Sequence, residues 1–99
     1  MSRIALVPKN TEEHEVVVCG LDHAMGWFFQ LFGMPDEEGE DTVLIDKDQM
    51  MTRGFNRIEL LRLVEEYAVD DEITRHCLSQ IAADEDPAKG LPQRNFNTE

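Results

Sequence analysis

Cations are scarce in this chain of 99 residues. Nine lysines and arginines stand against 21 aspartates and glutamates, a formal net charge of −12 at pH 7. A domain that holds DNA or RNA by its phosphates needs a basic face, and so does attachment to anionic lipid. Neither partner is expected. Cysteine is almost as sparse, with Cys19 and Cys77 alone. Two thiols allow one internal disulfide, which is not the framework of a secreted miniprotein. The N-terminal stretch MSRIALVPKNTEEHE has no apolar signal core, and no run approaches the ~18 apolar residues of a membrane span. A reducing, cytoplasmic compartment with free thiols is therefore expected, each thiol acting as a small core hydrophobe. Nucleotide and hydrolase signatures are missing too: no Walker-type loop, no G-x-G-x-x-G, no G-x-S-x-G, no H-E-x-x-H. With 41% hydrophobic residues, the chain has enough apolar material to fold, and its length suits one core.

Residues 1–13 carry Pro8 and no sustained period, and read as an extended arm that pairs briefly around Ile4–Val7. The β-branched run 14–19 (HEVVVC) reads as a strand. Residues 20–26 (GLDHAMG) have turn chemistry between two glycines. A second strand is expected over 27–32 (WFFQLF), an acidic turn over 33–41, and a third strand over 42–46 (TVLID). Asn56 and Glu59 then form a capping-box pattern ahead of an apolar stripe running to Ala68. Asp70 and Asp71 precede a second helix over about 71–83. Residues 84–99 hold two prolines and few apolar anchors, and read as a loose tail. The expected fold class is α+β: a three-stranded antiparallel meander followed by two helices packed on one face, the single domain spanning 14–83. Its expected core is Val16, Val18, Trp27, Phe29, Leu31, Val43, Ile45, Ile58, Leu61, Val64, Ile73, Cys77 and Ile81.

Three chemical constellations are weak. Cys19, His23, His76 and Cys77 offer zinc-ligand chemistry or a thiol site, but lack C-x2-C or H-x3-H spacing. Adjacent His76 and Cys77 diverge by about 100° on a helix. Asp46-Lys47-Asp48 begins like a calcium loop but puts Met50 and Met51 where an oxygen ligand and a glycine are required. Cys19 with His14 or His23 has no orienting third group, and the acidic field disfavours a thiolate. No catalytic residue, metal or cofactor is assigned, and the chain reads as non-enzymatic.

The acids themselves are the strongest feature. Residues 36–48 carry a local charge of −6, residues 57–72 carry −4, and Asp84-Glu85-Asp86 adds −3. Plain solubility is the simple reading of such a surplus. The sharper reading is electrostatic: carboxylates along a turn and a helix imitate phosphate spacing and occupy a basic groove on another protein. Glu37, Glu38, Glu40, Asp41, Glu65, Glu66, Asp70 and Asp71 are the expected contact residues. The aromatic strand 27–32 is a separate candidate interface, for a homodimer or a partner, and the alternative function it suggests is that of a dimeric structural accessory protein. In size and charge the chain resembles nucleic-acid-mimicking inhibitors carried by phage, such as anti-restriction and anti-CRISPR proteins. That resemblance implies an inhibitor that docks on a basic protein surface, and it transfers no residue.

Overall fold

Hydrophobic alternation and β-branched residues build the first half of the molecule, and helical spacing the second. The computed structural model describes residues 3–40 and 42–90. Its elements are β1 (Ile4–Leu6), β2 (His14–Asp22), β3 (Gly26–Gly33), β4 (Thr42–Asp48), α1 (Arg57–Tyr67) and α2 (Glu72–Ala82). The strands form one antiparallel sheet in the order β1-β2-β3-β4. The architecture is α+β, with four strands where three were expected. The extra strand is β1, three residues long, with Ile4 opposite Cys19 and Leu6 opposite Val17. So short a segment generates no readable period, yet it adds two buried side chains to the core.

The β2–β3 turn is tighter than 20–26. The strands continue to the closing pair Asp22–Gly26. There Asp22 Oδ1 accepts from the amides of Ala24 (2.7 Å) and Met25 (3.0 Å). Gly26 has φ +76°, which a side chain would strain.

Register decides which side chains meet. Val17 pairs with Leu31 and Cys19 with Phe29. Val17 and Cys19 therefore share a face with Trp27, Phe29 and Leu31, joined by Ile4 and Leu6 of β1. All seven are buried in one cluster with Leu60 and Val64 of α1, Cys77 and Ile81 of α2, and Phe55. Val16 and Val18, expected beside Trp27, instead point to the opposite face with Phe28, Gln30 and Phe32. Val18 and Phe28 are buried there but stand outside that cluster, and Val16 is half-buried. Val43 is a second correction. A bulge between Leu31 and Phe32 in the β3–β4 pairing leaves Ile45 opposite Leu31 and Val43 opposite Phe32. One extra residue thus sends Val43 to the opposite face, 48% exposed, while Ile45 packs against the core.

Asn56 caps α1, its side chain accepting from the Glu59 amide at 3.0 Å. The buried stripe of α1 is Leu60 and Val64. Ile58, expected in the core, is 53% exposed. Two residues turn a helix by about 200°, so Ile58 and Leu60 point nearly opposite ways. Asp71 caps α2 through the Thr74 amide at 2.8 Å. The Arg57 guanidinium donates to the Ile81 (2.9 Å) and Ala82 (3.0 Å) carbonyls, so the start of α1 lies beside the end of α2. Residues 84–90 turn back on α2: Pro87 is fully buried, and His76 Nε2 donates to the Lys89 carbonyl at 2.7 Å.

Candidate partner-binding surface

Three chain segments converge at the end of the sheet where β2 begins and β3 ends. His14 pairs with Gly33, and Gly33 with Thr42. The approach to β2 (residues 9–13) and the loop residues 34–40 are therefore neighbours. The end of α1 reaches the same place. Tyr67 meets the His14 ring edge-on at 5.8 Å, the Lys9 amide donates to the Tyr67 carbonyl (2.8 Å), and the Val69 amide donates to the Val7 carbonyl (2.8 Å).

This end gathers most of the described acids. The β1–β2 connection supplies Glu12 and Glu13, and the register shift between His14 and Val16 in β2 supplies Glu15; the β3–β4 loop supplies Asp36, Glu37, Glu38 and Glu40; the α1–α2 corner supplies Glu65, Glu66, Asp70, Asp71 and Glu72. Four described cations lie near them: Lys9 on the Glu65 carbonyl at 2.6 Å, Arg75 on Asp70 at 3.1 Å, Arg62 one helical turn before Glu65 and Glu66 and 3.7 Å from Glu59, and Arg3, which lines a groove with Glu15. The opposite end is mixed. There Lys47, Arg53, Arg57 and Lys89 accompany Asp84, Glu85 and Asp86. Arg57 lies 3.7 Å from Asp84, Lys89 lies 3.2 Å from Glu85, and Asp86 Oδ1 accepts from the Ala88 amide at 2.8 Å. The Asp84-Glu85-Asp86 run, the smallest of the three acidic clusters, is thus partly compensated internally and lies at the far end.

The expected contact residues divide by what they touch. Glu37, Glu38 and Glu40 are exposed on a turn fixed by Asp36. Asp36 Oδ1 accepts from the Glu38 (2.9 Å) and Glu40 (3.0 Å) amides, and its carbonyl accepts from the Gly39 amide (2.9 Å). This geometry holds the backbone while the glutamates project outward. Glu65 and Glu66 are exposed in the last turn of α1, which holds no base of its own. A carboxylate there opposes the negative end of the helix dipole, offset in part by the Lys9 ammonium on the Glu65 carbonyl. Local electrostatics does not favour these two residues. Asp71 is committed to capping α2 and Asp70 to its ion pair with Arg75. Asp41 lies outside the described residues. Glu12, Glu13, Glu15, Asp36 and Glu72 complete the acidic end and were not among the expected contacts. Their signal was available, because in an antiparallel meander the start of one strand lies beside the end of the next.

The residues of the thiol and metal alternative fall in unlike places. Cys19 and Cys77 are both fully buried in the core cluster with free thiols. Burial pushes the Cys19 thiol far up, with a smaller contribution from nearby Cys77. Burial also raises Cys77, to about 11, helped by Asp71. Each is thereby held as a neutral thiol, the reverse of an activated nucleophile. His23 sits in the β2–β3 turn, and His76 bonds the Lys89 carbonyl. Among the described residues, no group of three or more His, Cys, Asp or Glu is placed to hold a metal ion. Asp46 and Asp48 lie in β4, and Asp48 Oδ1 accepts from the Met51 amide at 2.6 Å.

The aromatic strand is β3, which lies inside the sheet between β2 and β4. Trp27, Phe28, Phe29 and Leu31 are buried, leaving Phe32 half-exposed on the face away from the core cluster. No described helix is long and apolar enough to cross a membrane. No family model, no curated protein and no solved structure matches the chain.

Proposed function

We propose that this is a small, non-enzymatic, cytoplasmic protein whose acidic end docks on a basic surface of a protein partner. In its strongest form the reading is of a phage-type inhibitor that fills a channel otherwise occupied by nucleic acid. The supporting observation is the convergence of the three acidic segments at one end, while the opposite end carries acids and bases together. Solubility alone requires no such polarity, because a mixed surface serves it equally well. Crowding like charges also costs folding free energy by self-repulsion. Glu65 and Glu66 oppose the helix dipole as well, which a purely structural role does not account for.

The acidic end would act through its summed field. A basic partner is drawn in and oriented before contact, which raises the association rate and makes it fall with salt. Glu37, Glu38, Glu40, Glu65 and Glu66 would carry the contact, Asp70 and Asp71 holding the corner that presents the last two. With both helices taken on one face of the sheet, the other face leaves Val16, Phe32 and Val43 accessible while Val18 and Phe28 are buried on it.

Capture of partners from the native host at low salt, then titration of the purified complex with salt, tests the reading. Affinity should fall steeply between about 50 and 500 mM salt, as the Debye length shortens from roughly 14 Å to 4 Å. A flat profile overturns it.

A further inference from the structure

The face of the sheet away from the core cluster carries an apolar band. Val16, Phe32 and Val43 stand side by side on β2, β3 and β4, because Val16 pairs with Phe32 and Phe32 with Val43. In the next row exposed Ala5 pairs with buried Val18, and the row then turns polar with Gln30 and Asp46. Val43 is 48% exposed, Ala5 is exposed, and Val16 and Phe32 are half-exposed. A shallow groove of about 320 Å³ runs along it, lined by Arg3, Glu15, Val16, Val18 and Phe32. A lone exposed valine needs no explanation, but a contiguous apolar row across several strands does.

The band adjoins the acidic end directly. Glu15 lines the groove itself. The loop with Glu37, Glu38 and Glu40 leaves the sheet just after Phe32 and returns just before Val43. One flank of the band is thus anionic and its floor apolar. Arg3, donating to Gln30 Oε1 at 3.4 Å, supplies the cation of the opposite flank, so an occupant's own cations belong on the Glu15 and loop side. A second copy of this chain fits poorly, because face-to-face contact would press two such acidic rims together on molecules of charge −12. The complement is a segment with apolar residues on one side and lysines or arginines beside them.

From this charge and shape we infer that the open sheet face binds a basic amphipathic helix of a partner protein, its apolar side on Val16, Phe32 and Val43 and its cations on the acidic rim. Four strands span about 14 Å, which about three helical turns match, so anchors at i, i+3 or i+4, and i+7 reach across the band. The inference rests on the acidic-end reading above and names the form of its partner.

The test uses two synthetic peptides of 18 residues with one leucine and lysine composition. In one, the leucines line a single helical face; in the other they are scattered. Binding to the full chain is measured by calorimetry, and the site is mapped by amide shift perturbation. The patterned peptide should bind at least tenfold tighter than the scattered one and shift Val16, Phe32 and Val43. Val43→Ser and Ala5→Asp change exposed positions and should each cost the patterned peptide several-fold. If both peptides bind alike, unaffected by Val43→Ser but weakened by E37Q/E38Q/E40Q, the inference fails and the acidic-end reading stands. If neither peptide binds at low salt, both fail. A dimer in light scattering that Val43→Ser dissolves would give the face to a second copy and overturn the inference. Shifts confined to any other surface would overturn it as well.

Discussion

Cys19 and Cys77 show how burial sets chemistry at a single residue. Both thiols sit in the core, and Cys77 titrates at about 11 against an ordinary value of 9.0. A thiol whose pKa is raised by folding keeps its proton in the native state while the unfolded chain releases it. The associated stability is complete below pH 9.0 and is lost as pH rises toward 11. Thermal unfolding from pH 8 to 11 should therefore show a falling midpoint, with a shallower fall in Cys77→Ala than in the wild type. Equal slopes would contradict the assignment. Gly26 is the backbone counterpart. Its φ is +76°, and an added Cβ would strike Gln49 Oε1, the acceptor of the Trp27 amide at 2.9 Å. Gly26→Ala should cost about 1–3 kcal/mol in denaturant unfolding. The sequence marked Gly26 as a turn residue and both cysteines as core. It did not reveal the Gln49 contact, because that partner lies 23 positions away and meets Gly26 only once β3 and β4 have paired.

Among the elements, α1 carries an internal conflict. Asn56 fixes its start, and Asn56→Ala should cost about 1 kcal/mol of stability in chemical denaturation. Its last turn holds Glu65 and Glu66 and no base. Glu66→Lys should therefore raise stability by about 0.3–1 kcal/mol while weakening capture of a basic partner. A loss on both measures would mean that Glu66 supports the fold and has no part in binding. Helix existence was legible from the Asn56–Glu59 cap and the three/four spacing, and the α1 and α2 boundaries fall within a residue or so of the expected ones. Facing was harder to read. Ile58 is exposed because the stripe centres on Leu60 and Val64, a choice made by the partner sheet. Val43 is exposed because one bulge reverses side-chain parity, and no composition cue announces it. β1 was legible as brief pairing within an extended arm but not as a strand of the core sheet, because three residues form no period, although its pairing with β2 completes one side of the core.

At the scale of the whole molecule, the informative property is where charge lies. The sequence supplies the surplus and its three local clusters. Only strand pairing shows that the loop after β3, the approach to β2 and the α1–α2 corner meet at one end. Ion pairs with Arg57 and Lys89 set Asp84-Glu85-Asp86 apart as a partly compensated group at the opposite end. Two variants of equal charge change divide the readings. One is E37Q/E38Q/E40Q at the acidic end; the other is D84N/E85Q/D86N at the far end. If the surplus serves only solubility, the two are equivalent. The decisive measurement is the salt dependence of partner affinity for the wild type and both variants. The account predicts a shallower salt slope and weaker low-salt binding for E37Q/E38Q/E40Q, with D84N/E85Q/D86N close to wild type. Identical slopes for all three proteins would contradict it.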